Sequence, residues 1–361
     1  MLTAKETAAL SCPGERRDEI VARLRASHQR DYVWGLLVRS GETLARDAPA
    51  LAALLVQSRD DVRSFASAIP VQQAALVAAA CGKEDDAVWA AAQVGLALRH
   101  AGVHAPWSAR FRTPRRVRYA GWVSPPLEEL DVAHLEELDA ARSGDVSVRG
   151  WVRLAALTVR ERSLAIVPRE LRDICPIDAD RWKTADSVPD CVAAFTESID
   201  VVARGAPEYL DWIADGVHTL VPVEPPPGVS VSGSRQNVDG VVIIGLPVDS
   251  VSLGELLVHE ASHQMLHLVE AAATISNGYD DRKYYSPFAR AERDIRRMLV
   301  GFHAFANIAL YYQRVGGHIA RAWHAQWSPA LEACHHALVA SPGLTSHGRA
   351  LFEPVASSIR L

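Results

Sequence analysis

The 361-residue chain is poor in cysteine. Its five, Cys12, Cys81, Cys175, Cys191 and Cys334, make an odd count with no CxxC pair. Neither a disulfide framework nor a thiolate zinc site is indicated, so any bound metal must be held by histidine and carboxylate. No G-x-G-x-x-G or Walker loop occurs and no internal repeat is present, which gives nucleotide cofactors little weight. The amino terminus lacks a basic patch followed by an apolar stretch of signal-peptide length, and the alanine-rich runs downstream are broken by charge. A cytoplasmic protein with no membrane contact is expected. Basic charge is not concentrated either: the formal charge is -5 and the arginines are scattered among carboxylates, leaving no footprint for a phosphate backbone. Nucleic acid is therefore not an expected partner.

What the chain does have is apolar content, 49% of its residues, enough for one large core or two ordinary ones. From Arg17 to about Gly102, segments such as "DEIVARLRASHQRDYVWGLLVRS", "PALAALLVQSRDDVRSFASAI", "VQQAALVAAA" and "DDAVWAAAQVGLALRHAG" space apolar residues three and four apart, which predicts a bundle of short helices. Between about 115 and 170, valine and aromatics alternate in short runs such as "DVSVRGWVRLAAL" and "SLAIVP", predicting a small β region. Helix returns in "SVPDCVAAFTESIDVVARGAPEYLDWIADGV". The stretch "VSVSGSRQNVDGVVIIG" then reads as a Ser/Gly-rich strand or loop and a very apolar strand, with "NVDG" as the tight turn.

The segment "DSVSLGELLVHEASHQMLHLVEAAATIS" predicts a long helix, with Ser252 as its cap and Glu255 at the capping-box position. A polar aromatic loop, "NGYDDRKYYSPFAR", leads into a second, "AERDIRRMLVGFHAFANIALYYQRVG", and two more helices close the chain. The expected fold class is α+β, mostly α-helical. A helical N-terminal region (1–110) is followed by a mixed β/α region (111–361) with a helical metal-binding core.

The metal expectation rests on H-E-x-x-H. His259 and His263 leave one helix face a turn apart and can share one ion at about 2.1 Å, with Glu260 near its open side. The plain alternative is a pair of histidines satisfied by hydrogen bonds at a helix interface. His267 continues the face but lies about 12 Å from His259 along the axis, so it reads as a supporting or core residue. The H-E-x-x-H-x-x-G-x-x-H continuation is absent, with Leu266 and Val269 at the decisive positions. A third ligand must come from the next helix. Glu292 would give a thermolysin-like zinc site; His303, framed by the apolar "MLVGFHAFANIAL", would give three histidines, and that frame favours it. The arginines Arg290, Arg293, Arg296 and Arg297 read either as a solvated face or as partners for a planar carboxylate.

The stretches "LLVHEASHQMLHLVE", "YYSPFARAER" and "GFHAFANIALYY", with "VSGSRQNVDGVVIIG" before them, resemble the HExxH-motif peptide-modifying proteins of bacterial natural-product clusters, some of them 2-oxoglutarate-dependent peptide β-hydroxylases. The specific likeness covers about residues 190–315. It implies that His259 and His263 bind iron and that an arginine after the Tyr-Tyr-Ser-Pro segment, matched by Arg293, handles the cosubstrate. The chain departs in having Phe288-Ala289 and Arg293-Asp294 where that family has Trp-Arg and Arg-Pro pairs.

The leading expectation is therefore Fe(II)- and 2-oxoglutarate-dependent β-hydroxylation of a ribosomally made precursor peptide. His259, His263 and His303 would hold iron, Arg293 or Arg296 the distal carboxylate, and Glu260 would orient a ligand or bound water. The "VSGSRQNVDGVVII" strand would take the peptide by β-addition. One alternative is a zinc metallopeptidase with Glu260 as general base. Another is a non-catalytic peptide-binding protein that uses its N-terminal helices and carries a structural metal. A homodimer is compatible with the sequence.

Overall fold

The computed structural model describes residues 2–14, 17–58, 84–119, 121–131, 135, 150–168, 171, 183–184, 188–227, 229–236, 238–246 and 248–359. The expected helix "VQQAALVAAA", the "DDVRSFASAI" half of the one before it, the "DVSVR" run, Cys81 and Cys175 lie outside the described residues.

Near the amino terminus, α1 (Ala4–Ala8) starts with a complete capping box, Thr3 and Glu6 each bonding the other's backbone N–H. It is followed by α2 (Arg17–Asp47), α3 (Pro49–Ser58) and α4 (Glu84–His100). Pro49 suits the first position of α3, where its missing N–H has no helical partner to lose. Within α4, Val88, Ala90, Ala91, Ala92, Val94 and Leu98 are all buried, because α2, α3 and β1 (Ser108–Arg115) enclose it.

Short strands follow: β2 (Arg118–Tyr119), β3 (Trp122–Val123), β4 (Leu127–Asp131), β5 (Val152–Arg153), β6 (Ala155–Val159), β7 (Arg162–Ile166) and β8 (Lys183–Thr184). Next come α5 (Val188–Gly205), α6 (Glu208–Gly216), β9 (Thr219–Glu224), β10 (Ser232–Arg235), β11 (Val238–Gly245) and α7 (Ser250–Ala272). The principal sheet runs β10-β11-β9-β7-β6, with β8 also on β9. Strands β7, β9 and β11 are parallel. A parallel neighbour requires a crossover, and α5 and α6 supply it between β7 and β9. The pair Arg235↔Val238 closes the β10–β11 hairpin earlier than the expected "NVDG" turn, so Asp239 and Gly240 belong to β11.

The chain ends with the hairpin β12 (Tyr284–Ser286) and β13 (Ala291–Arg293), then α8 (Ile295–Val315), α9 (Gly317–Ala340) and α10 (Ser346–Ser358). The segment expected as a polar aromatic loop thus carries β12, and β13 takes the first residues of the stretch expected as helix. The second long helix starts at Ile295, where the Asp294 side chain accepts from Arg297 N–H.

Helix α7 lies between α5, α6, α8, α2 and the sheet. Gly216, at the end of α6, permits the close approach: a Cβ there would sit 2.8 Å from the Ala261 Cα. Trp212 donates from Nε1 to Ser262 Oγ at 3.1 Å across the same contact. Two buried ion pairs, Arg17 with Asp215 at 3.1 Å and Arg25 with Asp239 at 3.0 Å, dock α2 against α6 and β11. In general shape the protein is mostly helical with a small β region, as expected, but its helical core is not the metal-binding core anticipated. Among the described residues, no helix is long and apolar enough to cross a membrane.

Candidate functional site

Helix α7 is capped three residues earlier than expected. Asp249, not Ser252, accepts the exposed N–H groups, from Val251 at 3.1 Å and Ser252 at 2.9 Å. Glu255 is not a capping-box residue: it accepts a 2.6 Å hydrogen bond from the Tyr312 hydroxyl on α8, and burial raises its pKa against that bond.

From Leu253 to Val269 the helix is buried except at Glu255, His259, His263 and His267, every fourth residue, and the stripe continues to Glu270. A four-residue period keeps these side chains on one face, about 22 Å long. On one side the stripe meets β10 and the residue after it: Ser232 donates to Glu260 Oε1 at 2.6 Å, and Gln236 Nε2 donates to Glu270 Oε2 at 3.0 Å. On the other side is α8. The Phe305 ring stands edge-on to His259 with centroids 5.4 Å apart, and Phe288 stacks on Phe305 at 3.8 Å, with Trp327 closing the aromatic wall.

His259 and His263 do converge. Their Nε2 atoms are 3.0 Å apart and their rings nearly perpendicular, while His267 stacks beyond His263 with centroids 6.2 Å apart. All three are held neutral. Burial lowers the His259 pKa against the pull of Glu260; burial, then His259, lowers His263 to about 4; burial, then His263, lowers His267 to about 3.

The other expected site residues are elsewhere or already engaged. His303 is fully buried and turned to the amino-terminal segment, donating from Nε2 to Leu10 O at 3.2 Å, with the Trp212 ring centroid 6.3 Å from its own. Its apolar frame is that of a core histidine. Glu292 is exposed on β13, opposite Tyr285. Arg293 is half-buried on the same strand, opposite Tyr284. Arg296 is occupied: its Nη2 donates to Glu270 Oε2 at 2.8 Å and to Gln236 Oε1 at 3.1 Å, and its Nε also reaches Glu270. The carboxylate it was expected to find on a keto acid is supplied by the chain itself.

An iron or zinc centre does not fit this arrangement. Beyond the two converging imidazoles, Glu260 Oε1 is taken by Ser232 and His303 by Leu10, and among the described residues no group of three His, Cys, Asp or Glu side chains could hold a metal ion. That finding overturns the expected metal roles of His259, His263 and His303, and with them Fe(II) and 2-oxoglutarate, the oxygenase, the zinc peptidase and the structural metal. No family model and no curated protein matches the chain, so the resemblance to HExxH peptide-modifying proteins is not supported either.

Three contributors to the stripe escaped the sequence reading: Ser232, Gln236 and Glu270. The first two carry no periodic signal. Glu270 had one, since it ends the row of polar residues that interrupts an apolar helix.

One atom of the site is conspicuous. Glu260 is only 1% exposed, and among the described residues its Oε2 meets no hydrogen-bond donor. Ser234 Oγ on β10 and His267 Nδ1 are likewise buried without partners there.

Proposed function

We propose that this protein binds an extended peptide segment, added as a further strand along β10 and lying over the α7 stripe. The observation that carries this reading is the position of β10, an edge strand that among the described residues pairs only with β11. Gly245 N–H donates to Val231 O at 2.7 Å, so in the alternating antiparallel ladder Val231 and Gly233 face β11, while the main-chain N–H and C=O of Ser232 face outward. The side chains along this edge, Ser232, Gly233 and Ser234, are small enough to let another backbone approach.

Strand addition derives affinity from main-chain hydrogen bonds and selectivity from alternate side chains. A free edge alone is weak grounds for it, because short and bulged edges are common protective devices, and β10 has such an irregularity between Gly233 and Arg235. The stripe beside it favours binding. It offers neutral imidazoles that both donate and accept, and an aromatic wall, along about 22 Å, the length of six or seven extended residues.

Amide hydrogen exchange tests the reading. Blocked six-residue peptides of the form Thr-Val-Xaa-Val-Thr-Thr, with Xaa lysine, arginine, norleucine or glutamate, serve as probes. Binding of at least one should slow exchange at the Ser232 amide at least tenfold, and N-methylation of alternate peptide nitrogens should abolish the effect. Unchanged exchange at Ser232 with all four peptides would sink the proposal.

A further inference from the structure

We infer that the bound segment places a basic side chain, lysine or arginine, opposite Ser232, with its cation taken by the buried Glu260 carboxylate and its aliphatic shaft against Phe305. This rests on the strand-addition reading above. Directly opposed residues of paired strands project to the same face, so the residue facing Ser232 points where the Ser232 side chain points, toward Glu260 and the stripe.

The three carboxylates along this side of α7 are not equivalent. Glu270 has a guanidinium, Arg296, together with Gln236. Glu255 has the Tyr312 hydroxyl. Glu260, the most buried, has only the Ser232 hydroxyl on Oε1, and its other oxygen is without a partner among the described residues. Among the described residues the basic group that comes within ion-pair distance is His259, with Nε2 at 3.8 Å, and burial lowers the pKa of that ring. A buried carboxylate with an orphaned oxygen, and no cation beside it among the described residues, is costly to leave dry, and a ligand that brings an N–H-bearing cation removes the cost.

The neighbourhood also suits the rest of such a side chain. Long basic residues lay their methylene stems on apolar surface, and the stacked rings of Phe305 and Phe288 beside His259 provide it. A guanidinium or ammonium near an aromatic face gains further attraction. An acidic side chain at the same position would face Glu260 and be repelled.

Fluorescence anisotropy with the four blocked peptides, on the wild-type chain and on Glu260→Gln, decides the matter. The substitution keeps an acceptor for Ser232 and removes the charge. The wild type should bind the lysine or arginine peptide at least tenfold more tightly than the norleucine peptide, with the glutamate peptide weakest. In Glu260→Gln the basic-to-norleucine ratio should fall below twofold. Comparing ratios within each protein removes any general effect of the substitution on stability. Equal binding of the basic and norleucine peptides by the wild type overturns the inference but leaves strand addition standing. A preference that survives in Glu260→Gln overturns the assignment to that carboxylate. If no peptide binds, strand addition falls and the inference with it.

Discussion

The Nε2 atoms of His259 and His263 lie 3.0 Å apart, within hydrogen-bond distance, on rings nearly perpendicular to each other. Two neutral imidazoles can make that contact only if one nitrogen carries the proton and the other is bare. The pair must therefore hold opposite tautomers, one protonated at Nε2 and the other at Nδ1. Long-range nitrogen–proton NMR correlations on histidine-labelled protein at pH 7 should show one ring of each kind. Two rings of the same tautomer would mean that the contact is not a hydrogen bond in solution.

His303 gives an expectation for acid stability. Burial lowers its pKa to about 4, against the bond to Leu10 O, which works in the other direction. Its ordinary value is near 6.5, so between those limits the unfolded chain takes up a proton that the native ring refuses. The contribution is fully present above pH 6.5 and is lost as the pH falls toward 4, by about 3 kcal/mol in all. His263 and His267 are depressed in the same direction and steepen the loss. In urea denaturation, His303→Gln, which keeps an N–H for Leu10, should lose about 2 kcal/mol less than wild type between pH 7 and pH 5. Identical losses would show that His303 is not buried neutral.

The contrast between α7 and His303 marks how far the sequence could be read. The four-residue spacing and unbroken apolar period of 253–269 define a long buried helix, and the convergence of His259 with His263 follows from helix geometry alone. His303 could not be read in this way. An apolar frame suits a ligand and a core residue equally, and the partner that distinguishes them, Leu10, is 293 residues away. Arg296 failed for the same reason at shorter range, since its carboxylate is on another helix, 26 residues back. The β10–β11 hairpin was legible from "VSGSRQNVDGVVIIG" as strand, turn and strand, but only the pairing of Arg235 with Val238 fixes where the turn falls.

The Arg296–Glu270 pair is a structural link between α8 and α7, and its energetics should show it. The Glu270 side chain is 5% exposed and that of Arg296 37%, so removing the arginine leaves a mostly buried carboxylate with Gln236 as its remaining partner. Stranding a buried charge costs more than the pair contributes when intact. Arg296→Ala should accordingly destabilise the chain by about 1 to 3 kcal/mol, and Glu270→Ala by less, because the freed guanidinium can turn to water. The double variant should be less destabilised than the sum of the two, by about 0.5 to 3 kcal/mol. Equilibrium denaturation of the wild type, both single variants and the double variant closes the cycle. Strict additivity would mean that the two groups are solvated separately, and that Arg296 is available to a ligand after all.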